Sequence, residues 1–186
     1  TGTKVFDWTV PKEWHVNEAY IITPSGDHIC DFKQNNLHLV GYSTPFNKTI
    51  PLSELQNHLY SLPEQPDAIP YITSYYKERW GFCISEIDRD KLEDGDYQVV
   101  IESKLFDGVL NYGELIIEGD SKEEVFLSSY VCHPSMANNE LSGPTVVTFL
   151  AKWLTDLERR KYSYRIVFIP ETIGSITYLS QNYGEL

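Results

Sequence analysis

The chain has 186 residues, 41% of them hydrophobic and 23% charged, with a formal net charge of -12. These proportions belong to a globular protein with one core, or a core and a small insertion, and exclude both disorder and two large domains. With 15 Lys plus Arg against 27 Asp plus Glu, no basic face is available to neutralise phosphates, so neither nucleic acid nor an anionic membrane is an expected partner.

The longest apolar runs, 144–151 and 166–170, fall far short of the roughly 20 residues that span a bilayer. The opening "TGTKVFDWTVP" has no basic segment followed by an apolar one and is not expected to be a signal peptide. It reads as the interior of a longer protein, and "YLSQNYGEL" stops soon after a helix begins, so a fragment is expected. Cys30, Cys83 and Cys132 are odd in number, sit in apolar contexts and lack CxxC spacing. Reduced thiols and a cytoplasmic location are the expectation.

In chain order, Glu18 to Tyr42 alternates apolar and polar residues around a Pro-Ser-Gly-Asp turn, which predicts a hairpin and a further extended segment. Residues 45–95 are rich in proline and aromatics, with short helical stretches only after Ser53 and Ile87, and read as a small inserted subdomain. "YQVVIESKL" and "GVLNYGELIIEG" predict two strands joined by a hairpin at Asp107-Gly108. "EEVFLSSYVCH" is nearly continuous in apolar character, as a strand covered on both faces would be. A helix over about 142–158, capped by Ser142, follows from the spacing of Val146, Val147, Leu150, Ala151, Leu154 and Leu157. "YSYRIVFIP" predicts a second buried strand, with another helix from about Gly174. Strand, helix, strand, helix is the unit of a parallel α/β sheet, whose functional residues gather at the carboxyl ends of strands.

His133 and Glu171 stand at two such ends. A neutral imidazole there suits zinc, though a histidine that hydrogen-bonds a loop would look the same; Pro134 fixes the backbone after it. A carboxylate between a buried strand and a helix can be a metal ligand or a base for metal-bound water, or can simply complement the helix dipole. In the insertion, Tyr71, Tyr75, Tyr76 and Trp80 can stack on sugar rings, but a subdomain of some 50 residues has little other material for a core, and the core reading is preferred. Lys77, Glu78 and Arg79 read as a solvated turn.

The succession of His133, "ANNELSG" and "IVFIPETIGS" resembles the co-catalytic zinc aminopeptidases, which cleave amino-terminal residues from peptides. More closely, "TGTKVFDWTVP", "NLHLVGYSTP", "LPEQPDAIPYITSYYKERWGFC", "CHPSMANNELSG" and "FIPETIGSI" resemble bacterial aminopeptidase-like proteins of uncertain function, associated with polysaccharide biosynthesis, that carry a small inserted domain. The resemblance implies a zinc-aminopeptidase-like (phosphorylase/hydrolase-like) α/β fold with a mixed sheet: a core of 1–44 and 96–186, and an insertion of 45–95. It implies one or two zinc ions, with His133 as a ligand, Asn139 in place of a metal-bridging aspartate, and Glu171 as the general base or a ligand.

The chain departs from that pattern in several places. The Asn139 amide carries no charge to bridge two cations, Ser135 stands where an aspartate would orient the histidine, and Glu171 is flanked by Pro170 and Thr172 rather than by a second carboxylate. Glu140, one residue past the matching position, is a weaker candidate that can serve merely to complement the helix dipole. The remaining histidines, His15, His28, His38 and His58, receive no role, so three or four zinc ligands cannot be assembled from these positions alone. The expected function is therefore a zinc aminopeptidase-like hydrolase acting on a peptide or small amide. The alternatives are a catalytically impaired scaffold that binds peptide or carbohydrate, and a one-metal hydrolase of another amide such as an acetamido sugar.

Overall fold

The computed structural model describes residues 1–133 and 135–184, so the expectation for Pro134 lies outside the described residues. The chain forms two compact units, Pro11–Gly108 and a second made of Thr1–Val10 with Val109 onward. The division falls at 10/11 and 108/109, and residues 45–95 lie within the first of these units together with the segments that flank them. The reason is a long strand ladder that ties the segments flanking 45–95 to it, as described next.

In chain order, β1 (Lys4–Val5) and β2 (Trp8–Thr9) pair as a short antiparallel ribbon in the second unit. The Pro11–Gly108 unit then contributes β3 (Glu13–Ile22), β4 (His28–Ile29), β5 (Phe46–Pro51), α1 (Leu52–Leu55), β6 (Leu59–Tyr60), β7 (Phe82–Cys83), α2 (Glu86–Arg89) and β8 (Asp96–Phe106). Its sheet has the order β4-β3-β8-β5, antiparallel throughout, with β3 and β8 aligned from Glu13↔Phe106 to Ile22↔Gln98 and an irregularity between Val16 and Glu18. The Pro-Ser-Gly-Asp hairpin is present, joining β3 to β4. Ala19, Ile21, Tyr97, Val99 and Ile101 from the ladder meet Leu55, Leu59, Trp80, Phe82 and Ile84 in one core. The indole of Trp80 lies between Phe46, 4.0 Å away, and the His58 ring, 3.7 Å away. Trp80 is thus a core residue as expected, whereas Tyr71 and Tyr76 are 43% and 73% exposed and do not fill it.

The second unit continues with β9 (Gly113–Ile117), β10 (Glu124–Tyr130), α3 (Ala137–Asp156), β11 (Ser163–Ile169) and α4 (Ile173–Asn182). Here β11 is central in the order β10-β11-β9, parallel to β10 and antiparallel to β9. The predicted Asp107-Gly108 hairpin does not form, because β8 pairs with β3 and β5 while β9 pairs with β11. Successive residues of β11 face opposite sides. Ile166 and Phe168 pack with Ala151 and Leu154 of α3, and Val167 and Ile169 pack with Tyr178 of α4. Both faces are covered there, but β10 alternates exposed and partly buried positions, so the both-faces expectation for residues 123–133 is corrected.

The α3 helix begins at Ala137, five residues before the predicted Ser142 cap, which lies inside it. The apolar period starts only at Val146, and the first turns, which carry no such stripe, are tied down instead by the Glu140 carboxylate. On the outer face of α3, Val146, Phe149 and Trp153 are 58%, 69% and 59% exposed. Arg165 of β11 reaches both neighbouring strands, with its Nε 2.7 Å from Glu124 and its guanidinium 2.9 Å from Glu114. The Tyr178 hydroxyl donates to the same Glu114 carboxylate. Among the described residues, no helix is long and apolar enough to cross a membrane.

Candidate functional site

The parallel register places Tyr130 opposite Ile169, and the pairing runs one step further through the Val131 N–H to the Ile169 carbonyl at 3.1 Å. The loops after these two strand ends therefore start side by side, as a parallel sheet requires of its carboxyl edge. They bring His133 and Glu171 together, with His133 Nε2 3.7 Å from Glu171 Oε2. The two are also linked through the cysteine between them, since the Glu171 backbone N–H points at Cys132 Sγ at 3.2 Å.

The other side of the imidazole is held by Glu140. One oxygen lies 2.7 Å from His133 Nδ1 and the other accepts the Cys132 N–H at 2.7 Å. Both side chains are almost closed to solvent, at 11% and 12% exposure, whereas Glu171 is 52% exposed. When the ring is neutral, a carboxylate at Nδ1 favours the tautomer with the proton there, which leaves the Nε2 lone pair on the Glu171 side. Burial works to raise the Glu140 carboxyl, but hydrogen bonds from the Cys132 and His133 backbones, together with the imidazole, outweigh it and hold the group below its ordinary range. Burial raises the Cys132 thiol; the Glu171 N–H opposes this, and the charges of Glu140 and Glu171 add to it.

Two glycines allow the helices to approach these strands. A Cβ on Gly143 of α3 would stand 2.6 Å from Ser129 Oγ of β10, and one on Gly174 of α4 would stand 2.6 Å from Ile169 Cγ1 of β11. The loops themselves are strained. Ser135, Ala137 and Thr172 have φ of 110°, 36° and 55°, a region that costs non-glycine residues about 1–3 kcal/mol and that concentrates at functional sites.

Of the residues singled out in the sequence, His133 and Glu171 meet. Asn139 is exposed on the first turn of α3, outside the His133 cluster. Glu140, ranked lower, occupies the inward position, and Ser135, where the resemblance placed an orienting carboxylate, is exposed. One helical residue turns the side chain by about 100°, so Asn139 and Glu140 cannot both face the histidine; that phase was the available signal. In the sequence Cys132 reads only as a thiol. It joins His133 and Glu140 in a group whose ligand atoms all lie within 4.8 Å of one another.

His133 and Glu171 are donors of the types zinc takes, and as a pair they make up part of the three protein ligands of a catalytic site. Imidazole nitrogen and carboxylate oxygen are both zinc ligands, and a 3.7 Å separation, too long for a hydrogen bond, suits two ligands of one ion at about 2.0–2.2 Å each. Glu140 already accepts from the Cys132 and His133 backbones and from the imidazole, an arrangement that suits orientation of a ligand histidine.

Comparison with known proteins places this geometry in context. A curated relative from Clostridium acetobutylicum, described as "Putative polysaccharide biosynthesis protein with aminopeptidase-like domain", is 54% identical over all 186 residues, which cover 43% of its own length. A crystal structure of a "putative peptidase" from the same organism superposes with a TM-score of 0.94 at 54% identity, covering 100% of this chain and 44% of that one. The chain thus spans less than half the length of the relatives it matches. A family model described as "Domain of unknown function (DUF4910)" matches residues 1–186 from end to end, and the chain belongs to that family.

Proposed function

We propose that this chain carries part of the active site of a zinc-dependent, aminopeptidase-like hydrolase that removes amino-terminal residues from peptides or opens a related small amide. The observation that carries the reading is the Nε2 of His133, its ring oriented by Glu140, facing Glu171 across 3.7 Å at the ends of two adjacent parallel strands. The peptidase and aminopeptidase-like descriptions of relatives that span this whole chain support it. His133 and Glu171 would hold the ion, which when bound acts as a Lewis acid and lowers the pKa of coordinated water. Glu140 orients the imidazole, favouring in its neutral form the tautomer whose Nε2 lone pair faces the ligand side. Glu171, the more exposed carboxylate, can alternatively take the proton of an attacking water and return it to the leaving amine. Free, buried Cys30 and Cys83 are in keeping with a reducing, cytoplasmic setting.

The test is zinc content by elemental analysis on the intact protein, purified without chelator, beside His133→Ala and Glu171→Gln. One or two equivalents, lost in His133→Ala, are expected. If Glu171→Gln keeps zinc and loses hydrolysis of aminoacyl-anilides, Glu171 is the base; if it loses zinc, it is a ligand. Wild-type protein that neither retains zinc nor binds it on titration would overturn the metal reading and leave a crevice that binds peptide or carbohydrate without cleaving it.

A further inference from the structure

The Pro11–Gly108 unit carries an aromatic cleft that neither its core nor the His133 region uses. Tyr42, Tyr75 and Tyr76 line an open cleft of about 260 Å³ together with Lys12, Lys77 and Glu78. The rings touch in series. Tyr42 stacks on Trp14 at 5.7 Å, Tyr75 meets Tyr42 edge-on at 4.6 Å and 64°, and Tyr76 stands 6.3 Å from Tyr75 at 62°.

The platform is fixed from beneath. Tyr42 has a φ of 66°, held by its neighbour Ser43, which is fully buried and donates to the Val40 carbonyl at 2.7 Å. The Ser43 carbonyl accepts from Trp14 Nε1 at 2.9 Å and from Ser103 Oγ at 2.7 Å. Because the core is completed by Trp80 between Phe46 and His58, packing gives no reason to leave Tyr76 73% exposed beside a formed cleft.

We infer that this cleft binds a single pyranose ring bearing a carboxylate. Successive rings turned by about 60° do not make the parallel slot that a flat base needs. They offer aromatic faces to the C–H side of a puckered ring and phenolic edges to its hydroxyls. The volume lies just under the range typical of drug-sized ligands, about 300–1,000 Å³, which suits one ring rather than a chain. Lys12 and Lys77 bring two ammonium groups to the cleft beside the carboxylates of Glu78 in its lining and of Glu13, which acts on Tyr42, a local concentration of cation in a chain of net charge -12, and these ammonium groups select an acidic sugar over a neutral one.

The probes are glucuronate and glucose, titrated into the intact protein and followed by saturation-transfer NMR and calorimetry. Glucuronate is expected to bind with a Kd of about 1 mM. Tyr76→Ala, at an exposed position, is expected to weaken binding about five- to tenfold with an unchanged circular dichroism spectrum. Lys77→Gln should weaken glucuronate at least threefold and leave glucose unaffected. Absence of transfer to either sugar, or glucuronate binding unchanged in Tyr76→Ala, overturns the site; equal affinity for both sugars overturns the charge selection.

Discussion

Replacement of Glu140 by alanine removes the acceptor of the Cys132 N–H and the His133 imidazole, each 2.7 Å away, and of the His133 backbone N–H. A hydrogen bond to a charged group contributes about 1.5–3 kcal/mol, and with 12% of the Glu140 side chain exposed solvent screens these bonds little. Relief of the buried carboxylate returns part of the loss, so the net cost is about 2–4 kcal/mol, or a fall in Tm of roughly 5–15 °C for a chain of this length. Glu140→Gln keeps one acceptor but turns an amide N–H toward a donor on the other side, and costs roughly half as much.

Acidity provides an internal check. The Glu140 carboxyl is held below its ordinary range in the folded protein, so its contribution is fully present above the unfolded value of about 4.3 and disappears as pH falls through the folded one. The gap between wild type and Glu140→Ala should therefore be widest above about pH 5 and close in stronger acid. Thermal and urea unfolding at pH 7 and near pH 3 would measure it. Variants within about 0.5 kcal/mol of wild type at pH 7, or a gap that does not change with pH, would refute the claim that this carboxylate anchors the loop.

Gly174→Ala should destabilise the β11–α4 junction by about 1–3 kcal/mol, because the new methyl would meet Ile169 Cγ1 at 2.6 Å and Pro170 Cδ at 2.9 Å; chemical denaturation checks this, and a neutral result would mean that α4 shifts freely. Arg165→Met removes the cation shared by two partly covered carboxylates, Glu124 and Glu114, the latter keeping its Tyr178 hydrogen bond, with an expected loss of about 1–3 kcal/mol that shrinks in high salt; a salt-independent loss would point to packing instead. Cys30 and Cys83, their thiols pushed up to about 12 chiefly by burial, should resist iodoacetamide until unfolding, while Cys132 reacts slowly in the native state. Glu171→Gln should speed that reaction by removing a charge that raises the Cys132 thiol, and an unchanged rate counted by mass spectrometry would exclude the electrostatic link.

The order β10–α3–β11–α4 could be read in the sequence because each element writes its own period, and His133 and Glu171 could be placed at strand ends for the same reason. Pairing between distant segments writes no such signal. Residues 96–106 and 113–117 look like two arms of a hairpin around Asp107-Gly108, yet each finds its partner across a long stretch of chain, at Glu13–Ile22 and Ser163–Ile169. Matching to a motif ranks Glu140 low because it counts positions, whereas the histidine meets whichever side chain the helical phase turns toward it. Scarcity of core material in the sequence points Tyr76 inward, but Trp80 with its two flanking rings already supplies the aromatic mass.

The ion pairs of Arg165 act on a part of the molecule they never touch. They lie four residues before the end of β11, about 13 Å along the strand from Ile169, yet they tie that strand to a particular residue on each neighbour. A slip of β10 against β11 by one residue would shift the strands by about 3.3 Å and turn Arg165 away from Glu124. The same slip would displace His133 from Glu171 by nearly the whole of their 3.7 Å separation. Charge pairing at one end of the sheet thus adds an energetic penalty to a misaligned register, and the same register sets the chemistry at the other end.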